Sequence, residues 1–460
     1  MGSEPDSPGT SASSARITCK TITDEAGRKA AHDKQNPQGV YRAERDTTYV
    51  VFRGDDADPF ATEYDHAAGD FGPLTRIGRN PIPDDDTHGA PALTVDDDGY
   101  LHVFYGVHND PISYARSACP YETTEWEVRG DPVDREADEV LASPGWDTDR
   151  ALLSVPGGTY TFPLTYQNNI YLLFRTGTEP NAHGVDPEQD GDRTTYPSHE
   201  FATILRSTDR GETWEDLGPV IDTRGARDRP ETDAYVEDFD ERDGKLHITW
   251  TVATGDAGSQ PPRGHDGPRK GGFHVYYDVS GDELYDLAGN RYTTPITWED
   301  HNRGAVRIAN DEHVTESGWV YKHLLADSEV YVVFQSQSNI GNSIDDPQHV
   351  IATYDDGWQF EPIPGGKTAS SHGHIRISDA GDLEAHLVER NTERGDGANY
   401  TRFVRRDGSW EHTRVIENEA IEGINTVRDG TDEFAAIANE CSGENDEFSE
   451  RLWGVGSFET

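Results

Sequence analysis

The chain is 460 residues long and carries 40 basic against 87 acidic residues, a formal net charge of −47. So negative a body repels phosphate, which excludes a nucleic-acid backbone as its partner. Aromatic residues make up 10% of the chain, whereas acidic disordered segments are poor in them, so the composition is that of a folded protein with a large core.

The basic residues are skewed. Seven lysines (Lys20, Lys29, Lys34, Lys245, Lys270, Lys322, Lys367) stand against 33 arginines, beside a single methionine. A charge near −10 per hundred residues lies beyond the magnitude of roughly 2–8 usual for a small soluble domain. This composition points to a halophilic organism, because salt screens the self-repulsion of so charged a body.

From the N-terminus, MGSEPDSPGTSASS is polar, rich in Ser and Pro and without an apolar stretch. It reads as a flexible leader over residues 1–15 rather than an intact signal peptide, with residues 16–460 forming a single domain. No run of about 18 apolar residues follows, so no membrane-spanning helix is expected. Cys19, Cys119 and Cys441 form no short-spaced pair. At most one disulfide is available, and stability must come from the core.

Seven segments then repeat one pattern, a polar turn followed by a four-residue strand. In chain order they are Glu44-Arg-Asp-Thr-Thr-YVVF, Asp98-Gly-Tyr-LHVF, Gln167-Asn-Asn-Ile-YLLF, Asp243-Gly-Lys-LHIT, Asp327-Ser-Glu-Val-YVVF, Ala380-Gly-Asp-LEAHL and Asp429-Gly-Thr-Asp-Glu-FAAI. The strands begin at Tyr49, Leu101, Tyr171, Leu246, Tyr331, Leu383 and Phe434, at separations of 52, 70, 75, 85, 52 and 51 residues. The base period is about 50 residues, with longer inserts in the middle of the chain.

Most of these strands have an upstream partner across the turn (GAPALTV, TFPLTY, GWVYKHLL, GHIRIS), which makes a hairpin. Third strands follow (ISYARS, ATILRS, FHVYYDV, HVIATY, YTRFVRR), and then a tryptophan: Trp126, Trp214, Trp358 or Trp410. Hairpin, third strand and a closing Trp-bearing strand make one four-stranded antiparallel blade. Seven blades make an all-β, seven-bladed β-propeller, whose central channel is a natural binding site. The last strand, RLWGVGSF, is expected to complete a blade with a strand from the other end of the chain, such as ARITCKTI.

One blade carries Ser207-Thr-Asp209-Arg-Gly211-Glu-Thr-Trp214, which fits the S-x-D-x-G-x-x-W Asp-box of sialidase-like propellers. Its physics is structural. Asp and Ser fasten a tight hairpin, Gly supplies a positive φ, and Trp packs between blades.

Propeller sites form from loops on one face, so polar residues at equivalent strand ends are the candidates. His88 precedes the first strand of one hairpin and His108, followed by Asn109, comes after the second, so both histidines emerge at one edge. His102 lies mid-strand and reads as a packed, hydrogen-bonded residue. In the next blade Tyr160 opens YTFPLTY and Arg175 closes LLFRTG, fifteen residues apart across a hairpin. A blade later, Arg229 and Tyr235 lie just before or within the equivalent first strand. Any one of these alone reads as a surface or packing residue; their repetition at the same edge of three consecutive blades points to a site.

HGAPALTVDDDGYLHVFYGVHNDPISYARS, YTFPLTYQNNIYLLFRTG and AYVEDFDERDGKLHITWT resemble the BNR-type seven-bladed propellers that include ulvan lyases, over residues 40 to 455 and most densely from His88 to Trp250. The resemblance implies a canyon for an acidic, sulfated polysaccharide of rhamnose 3-sulfate and uronic acid. The residue types suit cleavage by β-elimination. The C5 proton of a uronate is removable only when its carboxylate is neutralised, which Arg175 can do bidentately. By resemblance His88 and Tyr160 share the roles of base and acid, in a division that depends on the uronate epimer. His108, Asn109, Arg229 and Tyr235 would hold the sugar, its carboxylate or its sulfate. The loop after Arg175, TGTEPNAHGVDPEQDGDR, is more acidic than a polyanion canyon favours and allows for another uronate polymer.

The reaction requires no cofactor. Some relatives hold a structural cation, and His265, His274, His372 and His374 offer ligands, but no short spacing links the two pairs, so they read as satisfied surface histidines. A polymeric substrate must be cut outside the cell, so the expectation is a secreted monomer without nucleic-acid or membrane partners. Two rivals stand. A sialidase-like exo-glycoside hydrolase needs an arginine cluster with a Tyr–Glu pair or two facing carboxylates, and the nearest string to the sialidase opening, Arg76-Ile-Gly, lacks its proline. A non-catalytic carbohydrate-binding propeller would use the same His, Tyr and Arg side chains merely to bind.

Overall fold

The computed structural model describes residues 17–32, 34–54, 56–80, 82, 88–106, 108–110, 112–129, 158–176, 200–224, 232–254, 269–309, 320–326, 328–336, 348–367, 373–390, 398–417, 420–442 and 449–458. Within them the seven repeated apolar runs become the second strands of seven antiparallel sheets: Thr47–Arg53, Leu101–Tyr105, Asn169–Thr176, Lys245–Thr254, Glu329–Ser336, Leu383–Arg390 and Ala436–Ser442. These strands are apolar without alternation because each sheet packs against a neighbour on both faces. Every residue of Leu101–Tyr105 is buried.

The protein is thus an all-β, seven-bladed propeller. The inner strands, Gly39–Arg42, Ala92–Val95, Gly158–Tyr166, Thr232–Arg242, Val320–Ala326, Gly373–Ile377 and Ile421–Thr426, surround the axis. Each touches the next, and a parallel bridge from Arg428 to Val40 joins the last to the first. The ring closes as expected, with Thr18–Thr23 pairing antiparallel to Ser449–Gly456 as the outer strand of the seventh blade. The core is a ring of apolar clusters, for example Phe162, Tyr171, Val236, Ile248 and Trp250 between the third and fourth blades.

Turn and tryptophan chemistry fix the blades. Gly99 holds φ +91°, and a Cβ there would stand 2.3 Å from the Tyr121 ring, so the Asp-Gly hairpin admits no side chain. Ser207 Oγ accepts from the Gly211 N–H at 2.8 Å, and Asp209 accepts from the Thr213 N–H at 2.8 Å. Trp214 meets Phe104 and Tyr114 of the preceding blade edge-on. Trp410 likewise reaches back one blade, donating to Glu361 at 2.7 Å.

Two departures from a plain four-stranded blade matter. The strand His108–Asp110, which follows the second blade's hairpin, joins the third blade through Gly158–Tyr166. The fourth blade gains Arg291–Tyr292 and Arg307–Ala309, part of the insert behind the longest repeat separation. His102 is fully buried, 2.7 Å from Tyr114 Oη and 3.1 Å from Asp96 Oδ2, as its mid-strand position suggests. His274 and His374 differ from expectation. Both are buried, not on the surface, because polar positions in a strand packed on both faces need not face solvent. His265 and His372 lie outside the described residues. Among the described residues no group of three or more His, Cys, Asp or Glu could hold a metal ion, and no helix is long and apolar enough to cross a membrane.

Candidate functional site

The start of an inner strand and the end of its hairpin partner share one edge of a blade, and the sequence-derived residues gather there. In the third blade, Thr159 pairs with Arg175 and Thr161 with Phe174, so Tyr160 is the extra residue of a β-bulge. Its φ is +61°, a conformation that costs a residue with a side chain roughly 1–3 kcal/mol and collects at functional sites. The bulge re-aims the ring. Tyr160 is 6% exposed and lies against Arg175, whose guanidinium carbon stands 4.9 Å from its ring centre.

Arg175 is 3% exposed. Its guanidinium carbon is 4.2 Å from the ring centre of Tyr235, and Nη1 is 4.0 Å from Asp233 Oδ2. Burial works against its charge, but Tyr235, Asp233 and Tyr160 together outweigh that, and its pKa is raised above the ordinary value. Nε and Nη1 have no hydrogen-bond partner among the described residues. A buried cation with two unmade donor bonds is a site for an anion.

The histidines complete the wall. The His88 and His108 rings stack 3.6 Å apart at 10°, and the His88 ring is 5.7 Å from that of Tyr160. His108 arrives on the strand that joins the third blade, where it pairs with Thr159. Tyr235 lies within the strand Thr232–Arg242, its ring 6.1 Å from Tyr160. The structure therefore brings His88, His108, Tyr160, Arg175 and Tyr235 together. Asn109 has its backbone in the same short strand as His108; its side chain, like the whole of Arg229, lies outside the described residues.

Sequence reasoning missed a second group of residues. The segment that links the closing outer strand to the first inner strand carries His32, Lys34, Gln35 and Asn36. The His32 ring is 6.1 Å from Tyr160. Lys34 pairs with Glu237, both side chains buried, and its Nζ is 6.0 Å from the Tyr235 ring centre. Gln35 Nε2 donates to the His88 carbonyl, and Asn36 Nδ2 donates to Asp238 Oδ1 at 3.1 Å. Glu237 sits at a second bulge, between the pairs Val236–Trp250 and Asp238–Thr249. The available signal was topological: a chain that closes the last blade on the rim must cross a face to start the first blade at the axis.

A cavity of about 750 Å³ lies further along the axis, lined by Asn36, Asp238, Lys322, Arg376, Arg428 and Asp429 among others. None of His88, His108, Tyr160, Arg175 and Tyr235 lines it. Its arginines are already engaged: Arg376 with Glu384 at 3.2 Å and Asp432 at 3.0 Å, Arg428 with the Pro163 and Phe239 carbonyls. The unmade donors of Arg175 mark the chemistry better than the size of this cavity does.

Blade count, strand order and this ring of polar side chains define a repeat-built propeller with a site on its axis. The chain belongs to the BNR repeat-containing family, whose model matches residues 47–366. It is 23% identical over 440 residues to an ulvan lyase of Alteromonas sp. (strain LOR), covering 88% of this chain and 78% of that protein. It is 23% identical over 326 residues to an ulvan lyase-PL25 of Pseudoalteromonas sp. (strain PLSV), a match covering 68% of this chain and 60% of that relative. The solved structure of a PL25 ulvan lyase bound to -[GlcA(1-4)Rha3S]- has the same fold, with a TM-score of 0.67 at 17% identity over 96% of this chain and 95% of that one.

Proposed function

We propose that the protein is a polysaccharide lyase that cleaves an ulvan-type polymer, at the bond between rhamnose 3-sulfate and C4 of a uronic acid, by β-elimination. The observation that carries this reading is the buried Arg175, whose Nε and Nη1 make no hydrogen bond among the described residues, walled by Tyr160 and Tyr235 beside His88. The relatives that match the chain are named for the same activity.

In this reading Arg175 takes the uronate carboxylate and stabilises the charge that moves onto it as the C5 proton leaves. The base accepts that proton, the C5–H electrons form the C4=C5 double bond, and the C4–O bond breaks. The acid protonates the departing oxygen. Glucuronate carries H5 and O4 on one side of the ring, so Tyr160 alone can take the proton and return it. Iduronate carries them on opposite sides and needs His88 as base with Tyr160 as acid. His108, Asn109, Arg229 and Tyr235 would hold the sugar, its carboxylate or its sulfate. No cofactor enters these steps.

The net charge of −47 is then a property of the outer surface and of a high-salt habitat, and a monomer secreted to meet its polymer fits both. Incubation with ulvan in molar salt should raise the ultraviolet absorbance of the unsaturated uronate. New reducing ends without that absorbance would mean hydrolysis. Binding without products would mean a carbohydrate-binding propeller. Either result overturns the lyase reading.

A further inference from the structure

The segment between Thr18–Thr23 and Gly39–Arg42 travels from the rim of the propeller to its axis, across the face that carries Tyr160 and Arg175. It is pinned there by buried polar groups. Gln38 Oε1 accepts from the His32 N–H at 2.6 Å, and Gln38 Nε2 donates to the Ala30 carbonyl at 2.8 Å. Asn425, fully buried on the seventh inner strand, donates through Nδ2 to the His32 carbonyl at 3.1 Å and the Gln35 carbonyl at 3.3 Å. A segment held this firmly places its side chains as reproducibly as a strand does.

Three of those side chains meet the site: Gln35 at the His88 carbonyl, Lys34 beside Tyr235, and His32 against Tyr160. His32 is 3% exposed, and its ring is tilted 41° to the Tyr160 ring. The Lys34 backbone N–H donates to His32 Nδ1 at 3.0 Å. With Nδ1 occupied as an acceptor, the neutral imidazole carries its proton on Nε2, and Nε2–H is the donor the ring offers beyond its own segment. A phenol that exchanges a proton with a substrate needs its oxygen fixed to within roughly 0.5 Å.

We propose that His32 is a positioning residue for Tyr160: the crossover segment presents its imidazole so that the Nε2–H side of the ring orients the phenol for proton transfer. The inference rests on the reading of Tyr160 as an acid–base group, and His32 acts through that group rather than on the sugar. Among the described residues, His88, Arg175 and Tyr235 also pack around Tyr160.

Two substitutions separate positioning from mere loop anchoring. The amide nitrogen of Gln reaches where Nε2 stands, so His32→Gln keeps a donor toward Tyr160 and loses the acceptor for the Lys34 N–H. His32→Asn does the reverse. Positioning predicts that His32→Asn lowers kcat about tenfold to a hundredfold, leaves KM within about twofold, and moves one limb of the pH–rate profile, while His32→Gln keeps most of the turnover. Full activity in His32→Asn with loss in His32→Gln would overturn the proposal, as would equal losses that follow Tm with an unmoved pH profile. Tyr160→Phe, assayed alongside, separates the two readings: turnover in that variant overturns the acid–base role of Tyr160, whereas its inactivity beside an unimpaired His32→Asn overturns the role of His32 alone.

Discussion

Replacing Arg175 by Met keeps most of the volume of the side chain and removes the charge and the donors. Unit charges about 4 Å apart at an effective dielectric near 20 interact by about 4 kcal/mol. At 1.36 kcal/mol per decade this corresponds to about a thousandfold in rate. Most of it should fall on kcat, because the carboxylate gains charge in the transition state. Arg175→Lys retains a charge but loses the fork and the stacking between two rings, which stand 4.9 and 4.2 Å from the guanidinium carbon, so about a tenfold to hundredfold loss is expected there. Arg175→Met leaves the buried Asp233 without its counter-ion and should also lower Tm, whereas Arg175→Lys keeps a cation beside it. Initial rates of ultraviolet absorbance with ulvan in molar salt, read beside Tm, measure the effect. Arg175→Met with more than a tenth of the native kcat would refute the assignment of Arg175 as the carboxylate's counter-ion.

Glu237→Gln should cost about 3–5 kcal/mol of stability, because it leaves the buried Lys34 ammonium facing an amide; the double variant with Lys34→Met should lose less, and denaturant unfolding of both decides it. Acid should destabilise the fold. Burial holds His247, His274 and His323 below the ordinary histidine value and lowers His301 to about 4. These neutral rings support the fold fully above the unfolded pKa of about 6.5, and their contribution falls as pH drops from there toward the folded values, by roughly 3 kcal/mol for His301 alone. A Tm that stays flat on acidification through this range would contradict it. Salt should act in the opposite sense. With a charge of −47, Tm should rise as salt increases from about 0.1 to 1 M and the screening length falls from roughly 10 to 3 Å, and KM for ulvan should fall with it; a Tm indifferent to salt would refute the reading of habitat.

The pair Tyr160 and Arg175 was legible because an antiparallel hairpin returns both ends to one edge, so an offset of fifteen residues becomes proximity. His88 with Tyr160 followed by the same rule from blade to blade. The bulge at Tyr160 was not legible. Nothing in YTFPLTY announces a register shift, and only the pairing of Thr159 with Arg175 and Thr161 with Phe174 exposes it. His274 was misplaced on the surface for a related reason: in FHVYYDV polar and apolar residues mix, but both faces of the strand are buried between blades.

By itself the sequence determined the seven repeats and their hairpins, because strand periodicity and turn chemistry depend on residues within a few positions of one another. It determined in the same way that the chain's two ends share a blade, as Thr18–Thr23 and Ser449–Gly456 do. Only the tertiary structure decided what ring closure brings to the axis. Closure carries the segment of His32 and Lys34 over the face, sets His32 6.1 Å from Tyr160 and pairs Lys34 with Glu237. No local pattern encodes these contacts, because they join residues more than a hundred positions apart that meet only when all seven blades are in place.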